Sequence, residues 1–72
     1  EIDYILNIED QIIPIEVKSG KSGRLKSLHL FMENHQSELG IKLSTDHFDT
    51  SQKVWSVPLY LVEQLPRLVR MR

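Results

Sequence analysis

Three residues have the types and spacing to do chemistry together: Asp3, Glu16 and Lys18. Glu16 and Lys18 lie two positions apart near the end of Ile12-Ile13-Pro14-Ile15-Glu16-Val17-Lys18, a run whose branched apolar residues predict a strand. Alternate side chains of a strand share a face, so Glu16 and Lys18 project together while Ile13, Ile15 and Val17 line the opposite side. Asp3 reaches them through a hairpin. Residues 1–8 alternate, with Ile2, Tyr4, Leu6 and Ile8 on one side, and only Glu9 and Asp10 separate the two strands. A two-residue loop sets Ile8 opposite Gln11, Asn7 opposite Ile12, Asp3 opposite Glu16 and Glu1 opposite Lys18. Directly opposed residues hold their Cβ atoms about 4.5–5.5 Å apart, which brings two carboxylates side by side. Such a pair repels unless positive charge lies between them, and either a divalent cation or the Lys18 ammonium supplies it.

That arrangement suits phosphodiester hydrolysis. Mg²⁺ or Mn²⁺ held by Asp3 and Glu16, with a backbone carbonyl such as that of Val17 as a further contact, polarises a phosphate and acidifies a bound water. Lys18 then orients the water or stabilises charge on the phosphorus. The same three residues equally form a partly solvated ion cluster at a sheet edge, with no catalytic role.

The surrounding elements must hold these side chains. Pro14 gives no amide to a ladder, so its missing donor must face away from a neighbour or mark a bulge. Ser19 to Gly23 is turn chemistry, with Ser22 or Gly23 suited to cap a following helix. Leu25, Leu28, Phe31, Met32, His35 and Leu39 recur at helical spacing, with Lys26, Glu33, Asn34 and Ser37 facing outward, and Gly40 is the expected left-handed terminus. Residues 40–45 then read as a strand parallel to the second, with Ile41 and Leu43 on one face, because a helix between strands is the usual parallel crossover. A polar loop over 45–53 leads to a short strand, Val54 to Val57. Pro58 suits the first turn of a helix, and Pro66 divides the apolar stripe Leu61, Val62, Leu65, Leu68 and Val69 into two short helical pieces. The prediction is an α/β fold with a small mixed sheet, in the order strand, strand, helix, strand, strand, helix.

Asp3, with Glu16-Val17-Lys18 after a short hairpin and an amphipathic helix behind, resembles the D…ExK signature of the PD-(D/E)xK, restriction-endonuclease-like nuclease fold. More narrowly, the runs Glu1 to Tyr4, Ile13 to Lys21, Gly40 to Asp46 and Val57 to Leu61 resemble the C-terminal domain of unknown function carried by many prokaryotic AAA-type ATPases. The resemblance spans nearly the whole chain. It implies a truncated nuclease-like core, a metal-dependent nuclease or nucleic-acid-binding domain using Asp3, Glu16 and Lys18, DNA as partner, and an ATPase module upstream. ATP binding would belong to that module. The helix and further strand that normally precede the hairpin in the nuclease-like fold are not in this sequence. The rival expectation is a catalytically inactive interaction or oligomerisation module of the ATPase.

Seventy-two residues allow one domain, 1–72, read here as the C-terminal fragment of a longer protein because it starts with Glu inside an expected strand. A bare sheet face on such a fragment leads to the expectation of a homo-oligomer. Net charge is −1, with 26% charged and 40% hydrophobic residues, which gives no global pull toward nucleic acid or membrane. The absence of cysteine excludes a disulfide framework, a thiol nucleophile and a cysteine-ligated zinc, and fits a cytoplasmic location. Lys21, Arg24 and Lys26 cluster beside Lys18 and suit phosphate contact, or simply a solvated loop. Ser19-Gly20-Lys21-Ser22 lacks the earlier glycine of a Walker loop, since Pro14 and Ile15 stand there. His29, His35 and His47 do not have ligand spacing; His35 is expected in the core and His29 at the surface. Trp55 and Tyr60 are expected in a core or interface. Ser19 and Ser44 lack the base and acid of a nucleophilic triad.

Overall fold

The hairpin that carries the candidate residues is the first element of a four-stranded mixed sheet. A computed structural model describes residues 2–18 and 25–72 of the 72-residue chain. The strands are β1 (Tyr4–Ile8), β2 (Gln11–Val17), β3 (Gly40–Ser44) and β4 (Val54–Pro58), in that order across the sheet. β1 pairs antiparallel with β2, while β2–β3 and β3–β4 are parallel. Helix α1 (Lys26–His35) links β2 to β3, and β4 runs into a 3-10 segment (Leu59–Gln64) followed by α2 (Leu65–Arg70). The α/β class and the mixed sheet follow the sequence reading.

The hairpin register is the expected one from Ile8↔Gln11 to Tyr4↔Ile15. Glu9 and Asp10 turn the chain with positive φ at both positions, 52° and 68°. That is the handedness of a primed two-residue hairpin turn, whose twist matches the flanking strands, formed here without the Asn-Gly that adopts it most readily.

Each face of the sheet has its own cover. Ile13, Ile15, Ile41, Leu43, Trp55 and Val57 pack with Leu65 and Val69 of α2 in one cluster. Pro14, Glu16, Gly40, Lys42 and Ser56 occupy the alternate positions and so face the other way, toward α1. β2 is therefore buried on both sides, from Ile13 to Glu16. Pro14, paired with Ile5, is fully buried beneath α1. The N-terminal half of β1 is covered on neither face: Tyr4 and Ile5 are 63% and 54% exposed.

Several expectations are corrected. α1 ends at His35, and Gln36 rather than Gly40 takes the left-handed conformation, with φ 52°. The Gln36 amide donates to the Glu33 carbonyl at 3.4 Å and the Ser37 amide to the Met32 carbonyl at 2.9 Å, the paired bonds of a Schellman terminus. Ser37, expected outside, is thereby buried. Gly40 instead opens β3, where a Cβ would lie 2.5 Å from Met32 Sδ, so its role is close approach of helix to strand. His35 lies at the surface, stacked on Phe31 at 4.0 Å between ring centroids, with Nδ1 3.1 Å from the Phe31 carbonyl oxygen. Pro66 divides the C-terminal segment as expected, lying in the first turn of α2, where its missing amide costs nothing. Pro58 closes β4 and precedes the 3-10 segment. Val17, expected in the core, is 37% exposed, and Tyr60 is 83% exposed, whereas Trp55 is buried. The expected helix cap at Ser22 or Gly23 lies outside the described residues.

Candidate functional site

Glu16 and Lys18 meet as the strand spacing requires. Lys18 Nζ lies 3.2 Å from Glu16 Oε2, and the pair is asymmetric: the Lys18 side chain is 27% accessible and that of Glu16 only 7%. The second carboxylate oxygen, Glu16 Oε1, is buried and has no hydrogen-bond partner among the described residues. A buried carboxylate normally recruits donors to both oxygens, because leaving one bare costs about 1–3 kcal/mol. Glu16 is thus a recessed carboxylate with a lysine at its mouth.

Asp3 joins them through the backbone. The β1–β2 ladder ends at Tyr4↔Ile15, and the Asp3 amide donates to the Ile15 carbonyl at 3.1 Å. Asp3 Oδ2 accepts the Val17 amide at 2.8 Å, that is, from the residue between Glu16 and Lys18. The aspartate is exposed, while the amide it accepts has no β1 residue left to pair with. Its carboxylate therefore extends the hairpin and fixes the backbone that presents the other two groups. Asp3 stands in solvent, Lys18 at the surface and Glu16 beneath.

The neighbouring strand adds residues that the sequence reading missed. Lys42 is the β3 partner of Glu16 and shares its face; Ser56 of β4 is in turn the partner of Lys42. Lys42 does not turn to Glu16. Its Nζ donates to Asp46 Oδ2 at 2.7 Å, and the Asp46 amide donates to Ser44 Oγ at 3.0 Å. The hydrogen bond from the Lys42 ammonium, and its charge, hold the Asp46 carboxyl below the usual carboxylate range. Alternation along β3 did place Lys42 opposite Ile41 and Leu43; what no local pattern supplied was the parallel register that sets it beside Glu16.

Of the suggested phosphate-contacting residues, Lys26 is the exposed first residue of α1. Lys21 and Arg24 lie outside the described residues, as do Glu1 and Ser19. Among the described residues, His29, His35 and His47 are exposed, and no three His, Cys, Asp or Glu side chains gather closely enough to enclose a metal. Asp3 and Glu16 are the carboxylates that would hold an implied divalent cation, and two protein carboxylates with water are a usual set for Mg²⁺. The bare Glu16 Oε1 is the feature of the structure that fits such an ion.

The sequence family now bears on the site, because residues 1–62, which include the hairpin, α1, β3 and β4, match the family described as "Domain of unknown function (DUF4143)". The chain belongs to the DUF4143 family. No curated protein and no solved structure matches it. The matched span of this DUF4143 chain takes in Asp3, Glu16, Lys18, Lys42 and Ser56 and stops before α2. No described helix is long and apolar enough to cross a membrane.

Proposed function

We infer that this DUF4143 domain is a metal-dependent nucleic-acid-processing domain of the nuclease-like class, acting on phosphodiesters at the Asp3–Glu16–Lys18 corner of the sheet. The buried, unpartnered Glu16 Oε1 beside Lys18 is the observation that carries this reading. Folding strips water from that oxygen and, among the described residues, provides no donor in exchange, an arrangement worth keeping where a ligand completes it. A divalent cation bound there supplies Lewis acidity and a bound water of lowered pKa. Asp3 contributes the second carboxylate while its Oδ2 holds the Val17 amide in place. Lys18, at the mouth, orients the attacking water or meets the negative charge that develops on the phosphate. Lys21, Arg24 and Lys26 are the cations proposed to receive flanking phosphates, and an ATPase module of the same protein is the proposed mechanical partner.

Calorimetric titration with Mn²⁺ and Mg²⁺ tests the reading. Saturable binding that disappears in both Asp3→Asn and Glu16→Gln, with the fold retained, is the expected result. Absence of binding at millimolar metal would remove the catalytic proposal.

A second reading is favoured by a different observation. Tyr4, Ile5, Val17, Leu43, Leu59 and Val62 line a predominantly apolar groove of about 620 Å³ beside the free edge of β1. An exposed strand edge with apolar flanks is a template for pairing with another chain. On this reading the domain is a non-catalytic oligomerisation module, and sedimentation should show a dimer that Ile5→Lys converts to monomer.

A further inference from the structure

The α1 side of the sheet is only partly covered. Among the described residues α1 packs on β2 and β3 and makes no close contact with β4. The uncovered strip forms the floor of a cavity of about 850 Å³. Its walls are α1, through His29, Met32 and Glu33, and the loop before β4, through Asp49 and Lys53. That loop is firmly placed. Asp49 and Ser56 exchange backbone hydrogen bonds at 2.8 Å in both directions, and the Gly40 amide donates to the Lys53 carbonyl at 3.2 Å. Asp49 Oδ1 accepts the Ser51 amide at 2.8 Å, and the Ser51 side chain together with that amide holds the Asp49 carboxyl below its usual range.

The lining carries unmet hydrogen-bonding capacity. Ser37, 8% exposed, and Ser56 both border the cavity, and the Oγ of each is buried with no partner among the described residues. Leu25, Met32 and Val54 supply apolar wall, and Lys42 stands at the boundary between the cavity and Glu16. The volume lies within the range of small-ligand pockets, which pair apolar walls with a few fixed polar groups. The charge is mixed. His29, Lys42 and Lys53 face Glu33, Glu38 and Asp49 around the rim, so a polyanion lying along the whole cavity would be repelled along much of its length. One phosphate at the Lys42 end, sharing the ammonium that Asp46 holds at 2.7 Å, with a neutral, flat, hydrogen-bonding group beyond it, suits the lysine, the two serine hydroxyls and the apolar wall.

We propose that this cavity seats a single nucleotide of an unpaired strand, with Lys42 contacting its phosphate and the hydroxyls of Ser37 and Ser56 bonding the base or sugar. The inference rests on the phosphodiester reading above and extends it. Glu16, Lys42 and Ser56 are register neighbours on three adjacent strands about 4.7–4.9 Å apart, so the seat lies immediately beside the proposed metal position. A paired base cannot present its edge to a cavity of this kind, which makes a single strand or a displaced base the substrate form.

The test is a titration of the isotope-labelled protein with thymidine 5′-monophosphate, inorganic phosphate and thymidine, followed by amide chemical shifts. Saturable shifts confined to α1, β3, β4 and the 49–53 loop are expected, with the nucleotide binding more tightly than either fragment. Ser56→Ala should weaken it about three- to tenfold, the value of one hydrogen bond, and Lys42→Gln at least as much. A spectrum otherwise unchanged shows that each variant is folded, and Ser56→Val, which also fills the site, gives an independent block. Shifts elsewhere, no saturation by about 10 mM, or phosphate binding as tightly as nucleotide would overturn the proposal. Metal binding to the same samples separates the two ideas. Ser56→Ala should keep it whichever way the nucleotide behaves, and Glu16→Gln should lose it while keeping the nucleotide.

Discussion

Replacing Glu16 by methionine should make this protein more stable. Methionine matches the length of glutamate, fills irregular space and carries no charge to desolvate. In the parent, Oε1 is buried and bare among the described residues, at a cost of about 1–3 kcal/mol. Against that stands the ion pair to Lys18 at 3.2 Å. Lys18 remains 27% accessible, so the pair is partly screened, its loss costs up to about 1 kcal/mol, and the freed ammonium can be hydrated. The balance is a gain of about 1–2 kcal/mol. For a domain of this size each kcal/mol raises the thermal midpoint by roughly 4–8 °C, so a rise of roughly 5–15 °C is expected. Urea unfolding at neutral pH without metal measures it, with an unchanged denaturant slope showing that the exposed surface is the same. The opposite sign is informative. If Glu16 were retained as a structural partner of Lys18, its removal would destabilise by about 3–5 kcal/mol, the usual result of breaking a buried pair. An unfolding free energy lowered by more than about 1 kcal/mol would refute the reasoning. A stabilised variant that has lost metal binding would mark Glu16 as a residue kept for a ligand at the expense of the fold.

Three other outcomes follow from local geometry. Glu9→Asn with Asp10→Gly places the favoured primed-turn pair where φ is already positive, and should raise stability by about 1–2 kcal/mol in chemical denaturation. Gly40→Ala puts a methyl 2.5 Å from Met32 Sδ and 3.4 Å from Leu28, and should cost about 1–3 kcal/mol, with Met32→Ala in the same chain restoring part of the loss. Asp46 has a lowered folded pKa, so its contribution is present above its unfolded value near 3.8 and is lost as pH falls through the folded value. Asp46→Asn should therefore be less stable than the parent at neutral pH and converge with it in strong acid, as acid-unfolding curves of the two will show.

How much of the site was legible depends on how far apart along the chain its parts lie. Glu16 and Lys18 are two residues apart on a strand, and alternation alone puts them together. Asp3 is brought near by a turn of two residues, and the length of that turn sets the β1–β2 register without help from the core. Composition and helical spacing also identified α1, both parallel strands and the division of the C-terminal segment at Pro66. Helix termini were less legible. Gly40 looks like a C-terminal residue because glycine tolerates positive φ, yet Gln36 accepts that conformation because the Schellman bonds and the burial of Ser37 and Leu39 outweigh its strain.

What the sequence by itself determined is thus everything fixed by neighbours a few residues apart or joined by a tight turn: the faces of β1 and β2, the hairpin register, the amphipathic helix and the meeting of Glu16 with Lys18. What only the tertiary structure decided is how deep those groups lie and what stands beside them. Glu16 is recessed because α1 settles over β2, Lys42 is its neighbour because a parallel crossover sets the β2–β3 register, and the cavity exists because α1 stops short of β4. Parallel register and helix placement are chosen by packing volumes summed over the whole core, and no short stretch of residues contains that sum.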